Sequence, residues 1–405
     1  MNKTEKVSIV DFLGALFLVA GTTIGAGMLA LPVSTCLDGF IPAIVVMAIC
    51  WIFMTITALL ILEITLWMEE GAHIITLSEQ ILGPFGKAVA WVVYLFIGYA
   101  SIVAYIAGGG AQVGFAVWNF SGIDIPRWFG CVSFAIVFGL VIYLGKTIIG
   151  RVNTVLFIGL VIAYIALISF GGSGIKPEFL MYQKWSVKGG LMMIPLLLTT
   201  FSFPGIVPSI VPYLKRNVPL LRIAIIGGTT ITFLVYVVWQ ALVLGTIPLE
   251  GPYGLMEALA NGEPATQGMR FAVDNPLVSV AAEFFSFFAM VTSFLGMSWT
   301  MFDFLADGLK INPHGKGKMF LSLLIVVPSI FFAVIYPRAF IVALETSGGF
   351  GDAILAGVLP VLMIWAGRYY QKRSGPYTAW VGKPALVFLL TFSITIIIIT
   401  FFKIL

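Results

Sequence analysis

The first membrane-length apolar segment of the chain is interrupted by glycines at its centre. Residues 12–36 are apolar enough to cross a bilayer, yet Gly21, Gly25 and Gly27 fall within this segment and Pro32 follows them. Each glycine in a helix interior costs about 1 kcal/mol relative to alanine. Inside a bilayer, backbone N–H and C=O groups released from a helix must be satisfied by protein, water or ligand. The pattern therefore predicts a helix broken at mid-membrane depth, with backbone groups available to a ligand.

The composition is typical of an integral membrane protein. Of the 405 residues, 60% are hydrophobic and 10% are charged, whereas a soluble domain carries about 25% charged residues. The net charge of +4 is too small to indicate a nucleic-acid partner. The two histidines, His73 and His314, both lie in predicted loops. Because an intramembrane nucleophile would lack a histidine base, we expect that the protein is not an enzyme.

Hydropathy predicts eleven membrane spans in one transmembrane domain that covers residues 1–405. With a cytoplasmic N-terminus, fifteen of the 22 basic residues fall on the inner side, including Lys3 and Lys6. The positive-inside rule therefore favours a cytoplasmic N-terminus and an external C-terminus. The predicted spans are residues 12–36, 41–66, 87–117, 127–145, 151–171, 189–213, 221–247, 276–307, 319–335, 351–367 and 384–404.

Span six carries a second break. Pro204 is followed directly by Gly205, and Pro208 comes four residues after Pro204. A regular helix does not continue through this sequence, because proline lacks the backbone N–H and clashes with the preceding turn. Span six crosses the membrane in the opposite sense to span one, so the paired breaks predict a five-plus-five inverted repeat. The first half, the second half and an additional helix would be residues 12–171, 189–367 and 384–404.

Packing is the alternative explanation for each break. Gly21 and Gly25 have the small-xxx-small spacing that lets membrane helices approach closely. Proline often does no more than kink a span. Two breaks at corresponding positions of opposed halves favour a binding site over packing alone.

Several motifs in the chain are similar to motifs of one transporter family. They are GTTIGAGMLALP at 21–32, FSFPGIVPSI at 201–210, TSFLG at 292–296, FDFLAD at 302–307 and YPRAF at 336–340. Together they resemble the hydroxy/aromatic amino acid permeases of the amino acid–polyamine–organocation superfamily, most of all the tyrosine-specific permeases. The first motif alone also resembles the wider superfamily.

The resemblance implies a secondary transporter that imports an aromatic amino acid, with tyrosine favoured, by ion symport and alternating access. Protons are favoured as the coupling ion, sodium is the alternative, and no cofactor is expected beyond that ion. The resemblance also implies a multi-pass protein of the bacterial inner (plasma) membrane. We expect a functional monomer whose partners are the amino acid and the lipid bilayer.

An amino acid zwitterion needs donors for its carboxylate and acceptors for its ammonium. The second half of span one would offer N–H groups and a positive helix end to the carboxylate. Carbonyl groups exposed at both breaks would receive the ammonium, and hydroxyl groups would add contacts. The predicted substrate-binding residues at the breaks are Gly21, Thr22, Thr23, Ile24, Gly25, Ala26, Gly27, Phe201, Ser202, Phe203 and Gly205.

The pocket for the aromatic ring is assigned by resemblance to spans one, three, six and eight. Tyr105 in span three is the first choice for a lining aromatic residue, and Tyr99 is its rival. Phe201 and Phe203 are expected to flank the ring. A well-placed ring partner adds about 0.5–1.5 kcal/mol beyond area burial.

The coupling ion has two predicted sites. Thr292 and Ser293, with the carbonyls of Gly21 and Ile24, match the positions of a sodium site in related transporters. Proton-coupled relatives often carry a lysine in span five, where this chain has Phe157. Acidic residues within membrane spans are by default candidates for a functional role. Among them Glu63 is predicted to take part in ion coupling ahead of Glu283, while Asp303, Glu345 and Asp352 are interpreted as solvated or capping residues near the interfaces.

Other functions stay open at this point. A sodium-coupled symporter, or one of broader specificity that accepts tryptophan, phenylalanine or other neutral amino acids, is the main alternative. A channel is the second alternative, although the spans show few polar residues outside the breaks.

Overall fold

The computed structural model describes residues 7–68, 73–336 and 338–404. Lys3 and Lys6, which contribute to the predicted orientation, and Pro337 of the fifth motif lie outside these ranges. Ten helices of the described chain are long and apolar enough to cross a membrane, or eleven when the bent pair Ile9–Thr23 and Gly27–Thr35 counts as one span. The prediction of an all-α integral membrane protein is therefore confirmed.

The spans are numbered 1 to 11 in chain order, and spans 1 and 6 each consist of two helices. Short helices lie between spans 5 and 6 and between spans 7 and 8, the latter being Leu255–Asn261 and Thr266–Ala272. The spans are Ile9–Thr23 with Gly27–Thr35, Phe40–Leu66, Ile74–Ser121, Arg127–Leu144, Lys146–Gly171, Val187–Thr200 with Val207–Tyr213, Val218–Thr246, Pro276–Gly308, Gly315–Ile335, Ala339–Tyr370 and Lys383–Ile404.

Spans 3 and 10 begin earlier than hydropathy indicated. Span 3 continues a helix that starts at Ile74 rather than at residue 87, with a kink at Gly83, whose φ of 74° only glycine adopts at low cost. Span 10 starts at Ala339 rather than at residue 351. Its central part, Ser347–Val358, is a π-helix. Polar and glycine residues in this part lower the local hydropathy, which is why the predicted start was wrong.

The spans pack in a pattern that an inverted repeat would produce. Span 1 lies against span 7, as span 6 lies against span 2. Span 3 lies against span 10, as span 8 lies against span 5, and spans 3 and 8 contact each other. Span 11 covers the π-helical part of span 10. The inverted repeat itself stays a prediction, but this arrangement brings the two broken spans to the centre of the molecule.

Candidate functional site

The break in span 1 is confined to three residues, 24–26. Ile24 adopts an extended backbone with φ −76° and ψ 102°, and the two helices of the span are bent by 52°. The Ala26 N–H donates to Ser293 Oγ of span 8 at 2.9 Å. In a continuous helix this N–H would donate to the Thr22 carbonyl. The carbonyl of Thr22 is therefore released from its usual partner beside the break.

Gly25 is required by a close approach rather than by backbone freedom. A Cβ atom at Gly25 would lie 2.9 Å from Ser293 Oγ, and one at Gly27 would lie 3.3 Å from Thr200 Cγ2. Ser293 is the residue that receives the Ala26 N–H. Span 8 thus approaches the break of span 1 closely enough to exclude even a methyl group.

The break in span 6 has a different construction. The helix Val187–Thr200 ends, residues 201–203 are irregular, and a single 3₁₀ turn, Pro204–Ile206, leads into Val207–Tyr213. Nothing lies within 4 Å of a Cβ atom placed on Gly205. The break of span 6 therefore borders open space, whereas the break of span 1 is packed against span 8.

Tyr236 of span 7 connects the two breaks. Its hydroxyl group lies 2.8 Å from the carbonyl oxygen of Thr23 and 2.9 Å from that of Thr200. These carbonyls belong to the last residues of the first helices of spans 1 and 6. Tyr236 is completely buried, and its hydroxyl proton is shared between the two carbonyl groups.

A central cavity of about 620 Å³ lies between the breaks. This volume is within the range of small-molecule sites in proteins. The cavity is lined by both breaks and by residues of spans 3, 5, 8 and 10, and it extends to Asn153, Ser209 and Thr300 on the inner halves of their spans. With the N-terminus inside, the cavity therefore extends toward the cytoplasmic side.

The outer side of the cavity is closed by packed side chains. The indole N–H of Trp239 donates to the Met28 carbonyl at 2.7 Å, and Trp239 contacts Phe285 with ring centroids 5.2 Å apart. The loop between spans 7 and 8 adds a hydrogen bond from the Ala265 N–H to the Leu29 carbonyl at 3.0 Å. With the predicted cytoplasmic N-terminus, a cavity closed on this side corresponds to an inward-facing conformation.

Most of the predicted site residues meet on the cavity wall. Two of the predicted substrate-binding residues do not line it: Ala26 acts through its N–H, and Phe201 is buried with its ring 5.3 Å from that of Tyr236. The side chain of Phe201 is part of the packed core in this structure, so its expected contact with the substrate ring stays a prediction. The predicted residues on the wall are Gly21, Thr22, Thr23, Ile24, Gly25, Gly27, Tyr105, Ser202, Phe203, Gly205, Thr292 and Ser293.

Glu63 lies away from the cavity and is held by an ion pair. Its carboxylate accepts hydrogen bonds from Arg368 Nε at 2.7 Å and from the Ala379 N–H at 2.7 Å, and it also contacts Arg368 Nη2. Arg368 in turn donates to the Val381 carbonyl at 2.6 Å. Glu63 is 1% exposed. This geometry fits a structural tie between spans 2 and 10, and the role of Glu63 in ion coupling stays a prediction.

The hydroxyl protons beside the break of span 1 are used within their own helices. Thr22 Oγ1 donates to the Leu18 carbonyl at 2.9 Å, and Thr23 Oγ1 donates to the Val19 carbonyl at 2.7 Å. Thr292 Oγ1 likewise donates to a carbonyl one turn earlier, that of Phe288. These oxygens are left as acceptors. The wall near span 1 therefore suits a cation, either an ammonium group or a sodium ion.

Three buried polar atoms on the cavity wall have no hydrogen-bond partner within the described chain. They are Asn153 Oδ1 of span 5, and Ser347 Oγ and Asp352 Oδ2 of span 10. Buried polar atoms are nearly always paired, so an exception calls for a water, an ion or a ligand. No periodicity or motif in the sequence places Asn153 or Ser347 here. Asp352 had been interpreted as an interfacial residue.

Known proteins similar to this chain are membrane transport proteins. Residues 9–400 match the model of the tryptophan/tyrosine permease family. The chain is 32% identical over 406 residues to tyrosine-specific transport system 1 of Haemophilus influenzae, covering 99% of this chain and 97% of that protein. It is 29% identical over 392 residues to a tryptophan-specific transport protein of Pseudomonas aeruginosa, covering 95% and 93%. It is 29% identical over 400 residues to the low affinity tryptophan permease of Escherichia coli, covering 95% and 94%. The similarity extends over all residues that form the cavity.

Proposed function

Because the chain belongs to the tryptophan/tyrosine permease family, we propose that it imports an aromatic amino acid by ion-driven alternating access. Tyrosine is the favoured substrate. Relatives that are named for tyrosine or tryptophan transport cover nearly the whole chain. The central cavity carries the proposal, because it joins the broken parts of spans 1 and 6 and is closed on one side of the membrane only. A closed outer side favours a carrier over a channel.

The groups on the cavity wall suit the two charges of an amino acid. The second helix of span 1 begins at Gly27, which lines the cavity and presents the positive end of that helix. This end would bind the substrate carboxylate. The freed Thr22 carbonyl and the acceptor oxygens of Thr22 and Thr23 would bind the ammonium group.

The rest of the wall supplies partners for an aromatic side chain. Tyr94 and Tyr105 from span 3, Phe157 from span 5 and Phe203 from span 6 all line the cavity. Aromatic pairs gain about 0.5–1.5 kcal/mol beyond the burial of apolar area. Both tyrosine and tryptophan offer a ring to such a wall, and Asn153 offers a polar partner for a hydroxyl or indole N–H.

Protons are the favoured coupling ion, and sodium is the alternative. A sodium site would use Thr292 and Ser293 with the carbonyls of Gly21 and Ile24, all on the cavity wall. Ser293 Oγ already accepts the Ala26 N–H, which uses one of its two acceptor positions. This leaves one fewer oxygen position for a sodium ion and favours protons.

Uptake of labelled tyrosine, tryptophan and leucine into proteoliposomes tests both parts of the proposal. Proton and sodium gradients should be imposed separately, with empty liposomes as the control. We expect saturable tyrosine uptake that is accelerated by an inwardly directed proton gradient, weaker tryptophan uptake and little leucine uptake. Equal uptake of all three would indicate the broader-specificity alternative, and acceleration by sodium alone would indicate the other coupling ion. No saturable uptake of any aromatic amino acid would contradict the proposed function.

A further inference from the structure

Asp352 is a buried acidic side chain on the wall of the central cavity. It belongs to the π-helical part of span 10, Ser347–Val358, and it is 2% exposed. π-Helical segments are rare and are frequently found at functional sites. An ionisable residue within a membrane span is itself a functional candidate. Both observations apply to the same residue.

The carboxyl group of Asp352 has one hydrogen-bond partner. Its Oδ1 accepts from Ser202 Oγ at 2.5 Å, and its Oδ2 has no partner within the described chain. Ser202 lies in the break of span 6 and also lines the cavity. Span 10 and the break of span 6 are thus joined at this point by a single hydrogen bond to an ionisable group.

Asp352 differs from the other buried acidic residues of the spans. Glu63 is paired with Arg368, and Glu345 of span 10 is paired with Lys403 of span 11 at 2.8 Å. Across the described residues, Asp352 forms no ion pair. A buried carboxylate without a cation is costly, so such a group exchanges a proton readily when its surroundings change.

The groups that face Asp352 carry no permanent charge. Tyr105 of span 3 interacts electrostatically with it, and Ser202 and Thr199 come from span 6. Span 11 contributes the hydroxyl of Thr400 near this segment. The other titratable residues on the wall are Tyr94 and His73. Of the described residues that line the cavity, none is a lysine or arginine and Asp352 is the one carboxylic acid.

We propose that Asp352 is the binding site of the coupling proton and that Ser202 connects this proton to the substrate site. The proposal rests on the proposed function. In the outward-facing state the carboxylate takes one proton from water and becomes a neutral carboxyl group. In the inward-facing state the carboxyl group returns this proton to water on the cytoplasmic side. No other bond is made or broken.

Ser202 links the proton to the amino acid through the direction of its hydrogen bond. When Asp352 is ionised, the Ser202 hydroxyl donates to its Oδ1 across the 2.5 Å that separates the two oxygens. When Asp352 is neutral, the carboxyl group can donate to Ser202 Oγ. The Ser202 hydroxyl proton is then released for a substrate carboxylate. Proton binding and substrate binding therefore support each other, which is the thermodynamic requirement for symport.

The test compares Asp352→Asn and Asp352→Glu with Glu345→Gln in proteoliposomes. Glu345→Gln is the matched control, because it removes an acid from the same span outside the cavity. Three quantities are measured: tyrosine exchange without any gradient, tyrosine accumulation under a pH gradient, and proton uptake that accompanies tyrosine. We expect Asp352→Asn to exchange tyrosine at a measurable rate but to lose accumulation and proton uptake. Asp352→Glu should retain both, and Glu345→Gln should behave as the unchanged protein.

The outcomes separate this inference from the proposed function. Accumulation and proton uptake by Asp352→Asn at the level of the unchanged protein would overturn the assignment of Asp352 and leave tyrosine import intact. Tyrosine uptake that is driven by sodium without proton movement in the unchanged protein would also overturn the assignment of Asp352 and leave tyrosine import intact. Failure of the unchanged protein to exchange any aromatic amino acid would contradict the proposed function. It would also contradict the assignment of Asp352 as the proton site.

Two further measurements keep the inference decisive if Asp352→Asn does not exchange tyrosine. Infrared difference spectra of the purified protein should show a protonated carboxyl band that changes when tyrosine is added, and the band should be absent in Asp352→Asn. Its persistence in that variant would overturn the assignment. Ser202→Ala should lose proton-driven accumulation together with the pH dependence of the KM for tyrosine. An unaltered pH dependence would contradict the role of Ser202.

Discussion

The two breaks face one cavity but are built differently. In span 1, Gly25 is packed so closely against Ser293 that a methyl group does not fit, and the Ala26 N–H is held by the same serine. In span 6, Gly205 borders open space, and Ser202 bonds to an acid whose charge can change. On our proposals, the break of span 1 would be a rigid binding surface, whereas the break of span 6 would respond to the protonation of Asp352. Glycine serves close packing in the first and does not in the second.

The largest effect is expected at Gly25. Gly25→Ala places a Cβ atom against Ser293 Oγ, and overpacking of this kind costs about 1–3 kcal/mol, which is roughly 5- to 150-fold in an equilibrium. Gly25→Val should abolish tyrosine uptake in proteoliposomes while the protein still inserts in the membrane. Normal uptake by Gly25→Val would contradict a site made by the exposed backbone of span 1.

Removal of the Ser293 hydroxyl tests the same contact from the other side. Ser293→Ala leaves the Ala26 N–H without its partner, which costs about 1–3 kcal/mol for a buried donor. The double variant Gly25→Ala with Ser293→Ala should transport better than the product of the two single effects, because the clash at Gly25 is relieved. Strictly additive effects in this double-mutant cycle would show that the two residues do not interact.

Tyr236→Phe should have an intermediate effect. The change removes the hydroxyl proton shared by the Thr23 and Thr200 carbonyls, and one hydrogen bond contributes about 0.5–1.5 kcal/mol. We expect a several-fold lower rate of tyrosine exchange. Tyr164→Phe is the matched control, because its hydroxyl donates to the Val235 carbonyl and does not touch either break. Equal effects of the two substitutions would indicate a general loss of packing rather than a connection between the breaks.

The smallest effect is expected for Gly205→Ala. No atom lies within 4 Å of the added Cβ, and alanine is the better helix former in the adjoining turn. Uptake should stay within about threefold of the unchanged protein, since a small contact energy below about 0.7 kcal/mol corresponds to that ratio. A loss of uptake as large as that of Gly25→Ala would contradict the difference in packing between the two breaks.

The existence of both breaks could be predicted from sequence, because glycine and proline act locally on the backbone. The number of residues in each break could not be predicted. Gly21 remains within the helix Ile9–Thr23, and a Cβ atom on Gly21 would lie at ordinary contact distance from the Phe157 ring. The family motifs likewise placed Thr292 and Ser293 on the cavity wall. The partner of Ser293, the Ala26 N–H, comes from another span and leaves no local signal.

The residues that were missed depend on contacts between distant parts of the chain. In the sequence, Tyr236 is indistinguishable from other aromatic residues of apolar spans. Its hydrogen bonds to both breaks form only where spans 1, 6 and 7 meet. Hydropathy placed Asp352 at the start of span 10, because the π-helical segment is rich in glycine. Arg368, the partner of Glu63, is far from it in sequence, so nothing local separates a paired acid from a titrating one.

The ion pair between Glu63 and Arg368 has a consequence for the current that accompanies transport. A charge that crosses the membrane field contributes about 2.3 kcal/mol per 100 mV, but a carboxylate and a guanidinium that move together contribute nothing. Tyrosine itself is electrically neutral as a zwitterion. Electrophysiological recordings should therefore report one elementary charge for each coupling ion that enters, with no added component from this part of the protein.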